Sequence, residues 1–175
     1  KKIVENKVND TTFRGSIFFV QADILESEIE SALPQVRTVH VTRKLSETLK
    51  VYVQEKEPRI LLYSSGDYYF VDDKGVPYEE ATLDKLPGTI LPVIKNDDAQ
   101  AKVTLGTAAL DPSFVEIAYN IEQGVRETVG AGVADIRIPS LAAKEIYVFL
   151  DNNWKIMFDA SRPIDQQLEV VRELL

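Results

Sequence analysis

One histidine and no cysteine leave this 175-residue chain few side chains for covalent or proton-transfer chemistry. Thiol nucleophiles, zinc-ribbon ligation and disulfide scaffolds are excluded along with the cysteines. His40 stands between Val39 and Val41 in an alternating segment, which places it on the polar face of a strand. A general base needs an orienting carboxylate and a nucleophile within reach, and the neighbouring sequence supplies neither. Asp72–Asp73–Lys74–Gly75 has the acids of a calcium loop but not its alternating oxygen ligands or its distal Glu, so it reads as a tight turn. Gly130–Ala131–Gly132 follows a helical pattern instead of opening one; it stops a helix and cradles no phosphate. The 28 acids could include a glycosidase pair, but spacing along a chain does not report distance in space. The expectation is no catalytic residue, no metal and no cofactor.

The elements that would position any site are easier to read. A chain of this length suits one large domain or two small ones, and 45% hydrophobic residues are enough for a real core. Ile3, Val4 and Val8 suggest the tail of a helix over 2–9, broken by Gly15, and Ile17–Val20 is a short apolar run. Asp23 opens a helix to Leu33, with Glu26 as capping-box partner, Leu25, Ile29 and Leu33 on the buried face, and Pro34 as the stop. Val39 and Val41, then Leu49, Val51 and Val53, alternate with polar residues. They predict two strands with their apolar faces under a helix.

Beyond Pro58 the pattern changes. Ile60–Tyr63 and Tyr68–Val71 flank a hairpin loop over 64–67, and Val76–Tyr78 follows the turn at 72–75. From Glu79 to Gly106 turn residues dominate, and Leu91–Pro92 reads as loop or edge. Asp111 and Pro112 cap a helix whose buried stripe is Phe114, Ile117, Ala118, Ile121 and Val125. Ile136–Ile138, Glu145–Leu150 and Trp154–Phe158 predict strands. Pro163 opens a last helix with Ile164, Leu168, Val171 and Leu175 on one face. The fold class is α+β: a small α/β unit over 1–58, then a larger, mostly antiparallel sheet with two helices over 59–175. Tyr63, Tyr68, Tyr69, Phe70, Tyr147, Phe149 and Trp154 fall on the strands, as packing pairs or as a recognition surface.

Net charge is −8, a sign that opposes phosphate backbones and anionic lipid surfaces. No stretch approaches the roughly 20 apolar residues of a membrane span. The chain opens on Lys1–Lys2 without Met and reads as an excised piece, with any anchor upstream.

At Leu33–Pro34–Gln35–Val36–Arg37–Thr38–Val39–His40–Val41–Thr42–Arg43 the chain resembles the helix end and strand of the POTRA domain of the bacterial FtsQ/DivIB family. Leu45 to Glu55, followed by Pro58, is similar to that family's next strand, which ends in a Glu and then a Pro. Tyr69, Val71, Asp72 and Gly75 resemble its hairpin marker, Leu91–Pro92–Val93–Ile94 its Leu-Pro motif, and Glu145–Phe158 with the following helix its C-terminal order. Ser46 stands where the family has Pro, and Asn152–Asn153 replaces a turn with Gly. Pro34, Val36, Arg43, Glu55, Pro58, Asp72 and Gly75 are the motif positions that carry over.

What the resemblance implies is a scaffold, not an enzyme. It would be a single-pass protein of the division septum, with this part outside the cytoplasm, binding FtsL-like and FtsB-like division proteins and helping to control septal peptidoglycan synthesis. A first POTRA strand and the membrane anchor would lie upstream of Lys1, and a further strand beyond Leu175. Strand addition to an open sheet edge is a physical route for such binding. Two other readings compete. One is a POTRA protein of an outer-membrane assembly or secretion system; the other is a small extracytoplasmic hydrolase, which requires a deep pocket with two convergent carboxylates.

Overall fold

The computed structural model describes residues 21–44, 48–82 and 91–174. The expected helix tail over 2–9, the break at Gly15, the run Ile17–Val20 and the positions of Ser46 and Leu175 lie outside them. The chain divides into two compact units, Lys1–Lys56 and Glu57–Leu175.

In the N-terminal unit α1 (Ala22–Ala32) lies over β1 (Val36–Lys44), which pairs antiparallel with β2 (Thr48–Glu55). Leu25 and Ile29, four apart on α1, pack with Val36, Val39 and Val41 into the core of this unit. The Leu33 amide donates to the Ile29 carbonyl, and Pro34 then turns the chain into β1. Two expectations need correction. The capping box does not form: the helix starts from Gln21, which makes no side-chain cap bond, so Glu26 sits a turn deeper than a capping residue and faces the sheet. The apolar face of β2 is only partly covered, because α1 lies over β1. Leu49 and Val51 are half-buried, and Val53, opposite Val39, is 49% exposed.

The C-terminal unit is built on one seven-stranded sheet in the order β5-β4-β3-β6-β7-β8-β9. Its strands are β3 (Ile60–Ser64), β4 (Asp67–Val71), β5 (Pro77–Glu80), β6 (Val93–Asn96), β7 (Val133–Ile138), β8 (Glu145–Leu150) and β9 (Lys155–Asp159). Ser65 and Gly66 close the β3–β4 hairpin with positive φ at both positions, the twist a two-residue loop needs. Gly75 holds φ +74° where an added Cβ would lie 2.0 Å from the Leu110 carbonyl oxygen, so this turn packs directly on the segment before the next helix.

The Leu91–Pro92 segment corrects another expectation, since it leads into a strand at the middle of the sheet. β6 runs parallel to both β3 and β7, with Ile94 fully buried between Leu62 and Ile136. Four residues are too few to show a period, and only the strands on either side make them one. The other four pairings are antiparallel. Trp154 stands one residue before β9 instead of opening it.

Helices α2 (Pro112–Val129) and α3 (Ile164–Glu173) cover one face of the sheet. Asp111 caps α2 by accepting from the Ser113 amide at 2.9 Å, Pro112 takes the first position, and Gly130 ends it in the left-handed conformation. Phe114, Ile117, Ala118, Ile121 and Val125 are all buried against the sheet, as their spacing requires. On α3 only Leu168 is buried; its side chain reaches Gly124 of α2, where an added Cβ would stand 2.5 Å from Leu168 Cδ1.

Candidate interaction surface

Residues able to do chemistry remain scattered. Among the described residues no group of three or more His, Asp or Glu side chains could hold a metal ion. His40 is 71% exposed, but the carboxylate its own segment lacks is supplied from α1: Glu26 Oε1 lies 3.4 Å from His40 Nδ1. Asp72 and Gly75 share one turn, in which Asp72 Oδ1 accepts from the Lys74 and Val76 amides, both at 2.9 Å. A carboxylate spent on two main-chain amides serves the turn. A groove of about 670 Å³ lies between β9 and α3, and no carboxylate lines it.

That groove lies beside a free strand edge. Among the described residues β9 ends the sheet and pairs with β8 alone, Met157 lying opposite Tyr147. In an antiparallel pair, alternate residues turn their N–H and C=O outward, here those of Lys155, Met157 and Asp159. Gln167 of α3 takes both groups of Asp159: its Oε1 accepts from the Asp159 amide at 2.7 Å and its Nε2 donates to the Asp159 carbonyl at 3.0 Å. Among the described residues the outward groups of Lys155 and Met157 have no such cover. Around them Trp154, Met157, Val170 and Leu174 are exposed at 49%, 56%, 56% and 81%. An edge of this kind offers main-chain pairing to an extended segment, with apolar ground for its side chains. The periodicity of the buried stripes does not mark Met157, Val170 and Leu174. A signal was present: Val170 and Leu174, four apart, form a second apolar stripe on α3 that the first does not need.

On the sheet face away from the helices, cross-strand partners form a row: Tyr68, Tyr63, Lys95, Arg137, Tyr147 and Met157. Tyr63 and Tyr68 have ring centres 4.8 Å apart, and the Lys155 ammonium lies 4.0 Å from the Tyr147 ring. Asp135 holds the middle, 3.0 Å from Lys95 Nζ and 2.8 Å from Arg137 Nε. Burial pushes its carboxyl upward, but the hydrogen bonds and charges of Lys95 and Arg137 outweigh that and hold it below the usual range. The aromatics of the sequence reading thus divide: Tyr69 and Phe70 are buried, while Tyr68 and Trp154 are exposed.

The N-terminal unit has a guarded edge of its own. The outward amides of Val39 and Val41 donate to Glu30 Oε1 at 2.8 Å and Glu26 Oε1 at 2.6 Å. Residues 1–56 match the family model of the POTRA domain, FtsQ-type. By that match the N-terminal unit is similar to FtsQ-type POTRA domains. A relative, the cell division protein FtsQ of Streptomyces bingchenggensis (strain BCW-1), is 26% identical over 108 residues, which are 61% of this chain and 40% of that protein. The match therefore spans well under half of the relative's length.

Within the POTRA unit the motif positions fall at its structural joints. Val36, buried, begins β1 opposite Glu55 at the end of β2, and Pro34 precedes it in the turn from α1. Arg43 lies near the far end of β1, opposite Leu49. Pro58 falls just beyond the unit, before β3. These positions are not gathered into one site. Among the described residues no helix is long and apolar enough to cross a membrane.

Proposed function

We propose that this chain is the extracytoplasmic, non-catalytic part of a septal division protein, anchored in the membrane by a single helix outside the sequence described here. In this reading it is a scaffold that binds FtsL-like and FtsB-like division proteins and through them helps to control septal peptidoglycan synthesis. The observation that carries it is the length of the similarity. An alignment of 108 residues cannot fit within the 56 residues of the family match, so likeness to a cell division protein extends to residues of the second unit. The free β9 edge with its apolar groove supports recognition by strand addition. Its chemistry suits an extended segment with aliphatic side chains on one face.

Depletion of the full-length protein in its host is the test of the division role. Filamentous cells are expected, and cells that keep dividing at normal length overturn the reading. Binding is tested separately with purified FtsB-like and FtsL-like partners. Val170→Glu combined with Leu174→Glu puts two charges on the groove and should weaken binding at least about tenfold. Unchanged affinity moves recognition away from β9.

A further inference from the structure

Strand edges present N–H and C=O groups that a second strand can use, and folded proteins block those that should stay single. Among the described residues β1 pairs on one side only, with β2. On its other side, the donors of Val39 and Val41 are both taken by carboxylates from one helix, Glu30 and Glu26. Residues two apart on the strand are met by residues four apart on the helix, because about 6.7 Å of strand matches about 6 Å of helix. A carboxylate is an acceptor alone, so the pair imitates the carbonyls of a neighbouring strand. Both are solvent-accessible, Glu26 at 26% and Glu30 more so, which allows them to swing away. Neither is part of the buried core.

We propose that Glu26 and Glu30 form an autoinhibitory clamp on the outer edge of β1, which opens to an extended segment bearing Lys or Arg at alternate positions. Such a segment supplies carbonyls to Val39 and Val41 in place of the carboxylates. Its alternate side chains recur at the same spacing as the two displaced glutamates, so each receives a cation where it lost an amide. The sequence of α1 adds Asp23, three residues before Glu26 on the same side, and contains no Lys or Arg, so no cation of the helix competes for the two glutamates. The clamp goes beyond the division reading and does not depend on it, since both hydrogen bonds lie inside the POTRA unit.

The experiment is amide-resolved NMR on residues 1–175 with two capped peptides as probes, Lys-Val-Lys-Val-Lys-Val and its neutral counterpart Thr-Val-Thr-Val-Thr-Val. The wild-type chain should bind the lysine peptide at least about fivefold more tightly than the neutral one, with shifts centred on Val39 and Val41. In Glu26→Ala/Glu30→Ala those two amides should exchange about tenfold faster, and the neutral peptide should bind more tightly than to wild type. Glu26→Gln/Glu30→Gln keeps an acceptor of the same shape without the charge; it should retain slow exchange and lose the preference for lysine. If the alanine pair unfolds the unit, the glutamine pair decides alone, and a persisting lysine preference overturns the proposal. Unchanged exchange in a folded alanine pair, or peptide shifts away from β1, overturns it as well. Self-association of the alanine pair through β1, without preference for the lysine peptide, assigns the edge to a second copy and overturns the partner chemistry proposed.

Discussion

The two units guard their sheet edges with the same device and different chemistry. On β1 two carboxylates cover two donors; on β9 one amide covers both groups of a single residue and leaves the next two outward positions uncovered. A carboxylate accepts without donating, so it closes an edge only where amides point at it. Gln167 does both, but at one residue only. The cores beneath the edges differ as well. Among the described residues five apolar side chains of α1 and β1 form the buried core of the N-terminal unit, whereas twenty-one form the main core of the C-terminal unit. A small unit with few buried side chains has little stability in reserve. Its edge guard is therefore exposed to any change in the strand beneath, and that of β9 is not.

Val41→Asp tests the contrast hardest. It places a carboxylate in the five-residue core, beside Glu26, at a cost of several kcal/mol, comparable with the whole stability of so small a unit. The POTRA amides should lose their dispersion while those of the C-terminal unit keep theirs; an unchanged thermal midpoint would place Val41 outside the core. Phe158→Ala, at a fully buried position of β9, should cost about 3–5 kcal/mol in urea denaturation and leave the C-terminal unit folded. Unfolding in the absence of denaturant would mean that the larger core gives no reserve.

Gln167→Ala opens the end of β9 by removing two main-chain hydrogen bonds, for about 1–2 kcal/mol and faster exchange at the Asp159 amide. If exchange at that amide does not change, the Gln167 guard is not a guard. The smallest effect concerns Asp135, whose partners Lys95 and Arg137 are 40% and 44% exposed. A carboxyl held low in the folded state contributes stability above its unfolded-state pKa and loses it as pH falls through its folded-state pKa. The loss should start below about pH 4 and amount to less than about 1 kcal/mol. In Asp135→Asn that part of the pH dependence should vanish, and a melting curve series from pH 2 to about 6 reads it.

Much of this architecture is written locally. Asp111, Pro112 and Gly130 mark the two ends of α2, and its stripe needs nothing but the helical period. The hairpin at Ser65–Gly66 and the turn at Asp72–Gly75 are likewise settled by residues within a few positions of each other. The likeness to FtsQ-type POTRA domains was legible for a related reason, since turn and strand-end residues recur in a fixed order. The edges were not legible. β6 is four residues long and becomes a strand only because β3 and β7 stand on either side, so no periodicity announces it. Glu26 carried the signature of a helix cap, and which amide it meets depends on where β1 passes α1. Periodicity records which side of an element faces the core, and caps record where an element stops. Which donors an edge leaves open, and which side chain from another element closes them, is decided where distant parts of the chain meet. Only the tertiary structure brings them within hydrogen-bonding distance.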